Sequence, residues 1–96
     1  MNIEKKTEGT TFTIAPDGRI DTVTAPEFEK ALVFDGVTDM VIDLAKVDYI
    51  SSAGLRVLVR ATKRLGDGHI TIAHASASVR EIFDVVGFAD AFSFEG

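Results

Sequence analysis

The chain of 96 residues has no cysteine and no tryptophan, and only two prolines and one tyrosine. Without cysteine there is neither a disulfide framework nor a thiolate metal site, which excludes structural zinc of the usual kind. The only imidazoles, His69 and His74, stand at the two ends of one strand pattern. Side chains an odd number of residues apart on a strand point to opposite faces, so the pair cannot share a metal without other ligands. No metal or cofactor is expected. Basic residues are also scarce, ten against fifteen acidic ones, for a formal charge of −5. Affinity for a phosphate backbone rests on clustered Lys and Arg, so nucleic acid is not an expected partner. No window approaches 18 apolar residues, and Met1-Asn2-Ile3-Glu4-Lys5-Lys6 is not followed by an apolar run. Neither a membrane span nor a signal peptide is expected, and the cytoplasm is the expected compartment.

What is present suits one globular domain over residues 1–96: 46% hydrophobic and 26% charged residues, with no repeat, linker or low-complexity tract. A chain of this size buries roughly 60 to 65% of its unfolded surface, which leaves little room for a deep pocket. Thr10 to Ala15 alternates hydroxyl and apolar side chains as a strand does, and Pro16-Asp17-Gly18 reads as the turn after it. Asn2 to Lys6 suits a shorter edge strand beside it, its lysines guarding the edge. Thr24-Ala25-Pro26-Glu27 has the form of a capping box with proline in the first turn, opening a helix whose apolar face is Phe28, Ala31 and Leu32 and which ends near residue 34.

Met40 to Leu44 is a nearly continuous apolar run and predicts a covered strand. From Ser52 to Leu65 the stripe Leu55, Leu58, Val59, Thr62 and Leu65 predicts a helix closed by Gly66-Asp67-Gly68. His69 to His74 alternates as a strand. Ser76 caps a third helix with Val79, Ile82, Phe83 and Val86 on one face before Gly87, and Ala91 to Phe94 supplies a last strand. The order β-β-α-β-α-β-α-β places two strand–helix–strand crossovers in the second half, which demand parallel pairing and right-handed connections. The expected fold is α/β: one mixed β-sheet with helices mainly on one face and a partly polar opposite face.

The sharpest feature is Ile50-Ser51-Ser52-Ala53-Gly54-Leu55-Arg56, two hydroxyls where a strand gives way to a helix. A helix start offers unpaired N–H groups and the positive end of the dipole, so a serine there can cap the helix or carry an anionic group such as phosphate. Helix-start chemistry alone leaves Ser51 and Ser52 interchangeable.

The run Val47-Asp48-Tyr49-Ile50-Ser51-Ser52-Ala53-Gly54-Leu55-Arg56-Val57-Leu58, following Val41-Ile42-Asp43-Leu44, resembles the signature of STAS domains, the family of anti-sigma factor antagonists. Gly18-Arg19-Ile20-Asp21 with Thr24-Ala25 is similar to that family's turn and first helix, and Val79-Arg80-Glu81-Ile82-Phe83 with Gly87-Phe88 to its last block. The resemblance implies a non-enzymatic domain that binds a serine-kinase anti-sigma factor and thereby frees a sigma factor. The kinase phosphorylates a serine and releases the antagonist, and a separate serine phosphatase resets it. Counted back from Gly54-Leu55, the acceptor falls on Ser52, with Ser51 where the family often has aspartate. The implied partner surface is Asp21, Ser51, Ala53, Gly54, Leu55 and Arg56, with Asp21 beside Ser52. A second reading is a STAS-type scaffold or accessory subunit, of a transporter or a stress-signalling complex, that docks without phosphorylation.

Other constellations carry less. The Gly-x-Ser-x-Gly elbow of serine hydrolases is absent, since Ile50 stands where its first glycine belongs. Gly66-Asp67-Gly68 is too short for a phosphate-cradling loop and follows a helix, not a strand. Arg56, Arg60, Lys63 and Arg64 make a basic helix face, either a solvated surface or a docking edge for an acidic partner. Phe28, Phe34, Phe83, Phe88, Phe92 and Phe94 read as core.

Overall fold

A computed structural model describes residues 1–87, 90 and 92–96. Among these the order is β1 (Asn2–Glu8), β2 (Thr11–Ile20), α1 (Ala25–Ala31), β3 (Asp39–Asp43), β4 (Lys46–Ile50), α2 (Ser52–Leu65), β5 (His69–Ala73), α3 (Ala77–Val85) and β6 (Ser93–Glu95). The strands form one mixed sheet in the order β1-β2-β3-β5-β6, with β4 also paired to β2. Only β1 runs antiparallel to its neighbour; the other pairings are parallel, as helix crossovers require. No helix among the described residues is long and apolar enough to cross a membrane.

The strand alternation sorts the two faces. Phe12, Ile14, Ile20, Met40, Ile42, Ile70 and Ile72 point under the helices and join Phe28, Leu55, Leu58, Ala61, Val79 and Phe83 in one core. Their strand neighbours Thr11, Thr13, Asp39, His69 and Thr71 occupy the other register, half-buried or exposed. The expected one-sided helical cover and polar opposite face are therefore present.

Several elements differ from the sequence expectation, each for a local reason. Pro16-Asp17-Gly18 is not a turn: β2 runs through it to Ile20 because β1 pairs on one side and β4 on the other. The ladder with β3 stops at Ile14↔Ile42 and the ladder with β4 begins at Asp17↔Lys46, so Pro16 falls in the gap, where a missing N–H is tolerated. Gly18, at φ +108°, marks the register shift that comes next.

The strand β4 has no period-2 signal. Asp48 and Tyr49 are both exposed between buried Val47 and Ile50, because Asp48 is the extra residue of the bulge that opposes Gly18-Arg19. In effect β3 and β4 lie end to end along the ten residues of β2. Helix α1 stops at Ala31 and not near 34, since Leu32 turns extended (ψ 138°) while still burying its side chain.

Helix α2 has the expected bounds, but its buried face is Gly54, Leu55, Val57, Leu58 and Ala61, with Val59, Thr62 and Leu65 at the margin. Ser76 caps α3 as expected, accepting from Val79 N–H at 3.2 Å. Val86 lies past the helix and is exposed, so it does not share the core face. Phe28, Phe83 and Phe92 are core, whereas Phe34 and Phe94 are half-buried against it. The last strand is Ser93–Glu95; Phe88 and Ala91 lie outside the described residues.

Candidate functional site

The parallel strands β2 and β4 end together, and the segments that leave their ends make the site. Ser51 N–H donates to the Ile20 carbonyl at 2.8 Å, which ties the Ser51-Ser52 junction to the segment leading into Asp21. The close fit comes from Gly54: a Cβ there would lie 2.6 Å from Ile20 Cγ2 and 2.7 Å from Ile50 Cγ1. Only glycine lets the first turn of α2 sit directly on the two strand ends. Gly54 and Leu55, expected in the partner surface, are both buried. Buried in the first turn of α2, they fix where the exposed residues around them stand.

The two serines separate. Ser51 is extended (φ −87°, ψ 174°) and its hydroxyl accepts from Gly54 N–H at 3.4 Å, the position and bond of an N-cap. Ser52 is the first helical residue, exposed, with no hydrogen bond from its hydroxyl among the described residues. The geometry predicts a clear asymmetry on substitution. Ser51→Ala is expected to cost about 1 kcal/mol through loss of the cap, and Ser52→Ala less than about 0.5 kcal/mol, read from urea unfolding midpoints. Equal effects would contradict the assignment of the cap.

The expected capping box at Thr24 and Glu27 does not form; Thr24 makes no side-chain cap bond into α1. A box forms three residues earlier instead. Asp21 Oδ1 accepts from Val23 N–H at 3.0 Å and Thr24 N–H at 3.1 Å, and Thr24 Oγ1 reaches back to accept from Asp21 N–H at 2.9 Å. Asp21 is the better cap because its carboxylate is ionised and reaches two donors, whereas Thr24 is held by its own bond to the Arg19 carbonyl at 2.7 Å. The Thr24 N–H bond is the main reason the Asp21 carboxyl is held below its usual range, with Val23 N–H, the Thr24 hydroxyl and Arg19 adding to it. A lowered folded-state pKa means that this contribution is fully present above the ordinary carboxylate range. It is lost as pH falls through the lowered value.

Around the junction stand residues that motif spacing did not single out. Val23 projects from the Asp21 turn at 85% exposure, and Tyr49 of β4 is 38% exposed with the Arg19 guanidinium 4.6 Å above its ring. The Asp-x-x-Thr spacing of Asp21 and Thr24 was the available signal for Val23, since a capped turn directs its second residue outward. Tyr49 is exposed only because of the bulge. Ala53 is half-buried and Arg56 exposed on the outer face of α2.

The basic face of α2 proves heterogeneous. Arg60 forms a two-pronged pair with Glu29 of α1 at 2.7 and 2.9 Å, and Arg64 lies 4.2 Å over the Phe34 ring. These two fasten α1 and its exit to α2. Arg56 and Lys63 remain exposed, without an ion pair among the described residues. At the far end of β5, His74 (φ +58°) faces Asp43 at 3.2 Å, and His69 lies at the opposite end of the strand. No group of three or more potential metal ligands converges among the described residues.

This arrangement offers an exposed hydroxyl and a small mixed surface, with no base positioned on the serine and no enclosed cavity at it among the described residues. The anti-sigma-B factor antagonist of Staphylococcus epidermidis is 33% identical over 95 residues, covering 94% of this chain and 88% of that protein. The crystal structure of an anti-sigma factor antagonist from Mycobacterium paratuberculosis superposes with a TM-score of 0.84 at 26% identity, over 98% of this chain and 86% of that one. The antagonist SpoIIAA shares the fold at 15% identity in both solved forms. Its unphosphorylated form gives a TM-score of 0.82 over 97% of this chain and 87% of that one, and the phosphorylated Bacillus form 0.74 over 99% and 91%. The family model described as the STAS domain matches residues 2–95, and the chain belongs to the STAS domain family.

Proposed function

We propose that this domain is an anti-sigma factor antagonist, which binds a serine-kinase anti-sigma factor through the β4–α2 junction and is released when that kinase phosphorylates Ser52. The observation that carries this reading is the division of labour between the serines: Ser51 caps α2, and Ser52 presents a free hydroxyl at its first position. The kinase would transfer the γ-phosphoryl of ATP to Ser52 Oγ, with loss of the hydroxyl proton and departure of ADP. A serine phosphatase would hydrolyse the phosphoester and restore the binding form. The names of the relatives, and the existence of a phosphorylated form of SpoIIAA, support both the partner class and the modification.

A phosphate carries a charge of about −1.5 to −2, and at the start of a helix the free N–H groups and the dipole favour it. The fold therefore tolerates the mark. A partner surface packed over Val23, Ser52, Ala53 and Arg56 does not, because it closes on a new anion. A hundredfold loss of affinity requires about 2.7 kcal/mol, within the range of one charge left unpaired in an interface.

The test is phosphate incorporation from ATP by the cognate kinase, with mass-spectrometric assignment of the site. Phosphate on Ser52, its absence in Ser52→Ala, and a roughly hundredfold weaker complex for Ser52→Asp by calorimetry are expected. A chain that binds the kinase yet is never phosphorylated would instead support docking as an accessory subunit.

A further inference from the structure

We propose that Arg56 is the internal receptor of the phosphate on Ser52, so that modification closes a phosphoserine–arginine pair along the outer face of α2 and withdraws this cation from the partner surface. The inference rests on the reading that Ser52 is the phosphoacceptor. Ser52 and Arg56 are both exposed and lie four residues apart within α2, so they share one face of the helix. Side chains at that spacing have Cβ atoms about 5 to 6 Å apart, and an acid placed N-terminal to the base is the favourable order. Guanidinium and phosphate can also form two parallel hydrogen bonds, each strengthened by charge.

The surroundings select Arg56 from the basic residues nearby. Arg60 is held by both oxygens of Glu29, Arg64 lies over Phe34, and Arg19 lies over Tyr49 with its Nε 3.7 Å from Asp21. Arg56 has no ion pair and no aromatic partner among the described residues, so its reorientation breaks nothing. The acidic groups around it are committed or weakly placed. Glu29 of α1 lines one shallow groove with Arg56 but serves Arg60, Asp21 caps its own turn, and Asp48 is exposed on the bulge of β4. Arg56 thus adds a full side-chain cation to the partial positive charge of the α2 N-terminus, whose first turn, Ser52 to Leu55, has no charged residue of its own.

Such a pair changes what phosphorylation does. Besides adding an anion under the partner, it converts a cation available for docking into one satisfied within the domain. The experiment installs phosphoserine at position 52 of the full chain during translation, so that no kinase is needed, and follows the second ionisation of the phosphate by ³¹P NMR. The wild-type sequence is expected to ionise at a pH lower by about 0.2 to 0.4 unit than Arg56→Gln, with Arg56→Lys between them because an ammonium lacks the planar fork. In the unsubstituted chain, the Arg56 Nε–H resonance is expected to shift on phosphorylation while that of Arg60 stays in place. Identical phosphate titrations in wild type and Arg56→Gln, or an unmoved Arg56 Nε–H, would overturn the pairing whatever any kinase does. Conversely, failure of every cognate kinase to modify Ser52 removes the proposed switch without altering these titrations.

Discussion

Gly54→Val is expected to destabilise the domain by about 3 kcal/mol and to weaken partner binding in whatever fraction stays folded. A Cβ at this position meets two buried isoleucine side chains at 2.6 and 2.7 Å and the Ile20 carbonyl oxygen at 3.3 Å. Ile20 and Ile50 are both wholly buried, so neither has space to retreat into. Gly54→Ala makes the graded control. Alanine in a helix interior gains about 1 kcal/mol over glycine from backbone entropy, and the same close contact costs about 1 to 3 kcal/mol, so a smaller net loss is expected. Urea unfolding with an unchanged m-value measures both, and a Gly54→Ala domain more stable than wild type would mean that α2 lifts off the strand ends without cost. The functional consequence is separate: moving the first turn of α2 moves Ser52 and Arg56 relative to Val23 and the Asp21 turn.

Phe83→Ala is expected to have the largest effect on stability, about 3 to 5 kcal/mol. Phe83 is fully buried on α3 and meets Phe92 and Phe94 edge-to-face at 5.6 and 5.4 Å, with ring planes at 82° and 85°. It joins α3 to Phe92 and to β6, beside a second contact from the same helix, the Arg80 guanidinium 4.7 Å over the Phe94 ring. Domains of this kind are stable by about 5 to 15 kcal/mol in total, so the substitution removes a large share. Val85→Ala on the same helix is the control: at 78% exposure it should change stability by no more than about 0.5 kcal/mol. A Phe83→Ala midpoint close to that of Val85→Ala would show that the aromatic cluster does not anchor α3.

The sequence was most informative where one element alone set the pattern. The bounds of α2 come from a serine cap, a long apolar stripe and a closing glycine, all of them local signals that the tertiary structure did not override. The cap of α3 at Ser76 is legible for the same reason. Where two elements share a decision, the local reading fails. Pro16-Asp17-Gly18 has the composition of a turn, yet strands on both sides hold it extended. The strand β4 hides its alternation because the bulge at Asp48 turns two successive side chains outward. Thr24 stands at the cap of α1, but its hydroxyl is occupied by Arg19 and Asp21, and the ionised Asp21 caps the turn that leads into the helix.

By itself, then, the sequence determined the class of the fold, the position of the central helix and the location of the candidate junction, since hydrophobic period, caps and the Ser-Ser-Ala-Gly-Leu-Arg run are all properties of contiguous residues. It left the two serines equivalent in helix-start chemistry, and it grouped four basic side chains as one face. Tertiary structure decided both. The contact of Gly54 with Ile20 and Ile50 seats the turn so that Ser51 caps it and Ser52 faces out. The approach of α1 and Phe34 occupies Arg60 and Arg64 and leaves Arg56 exposed. Such choices depend on residues some thirty positions apart in the chain, and only folding brings them within bonding distance.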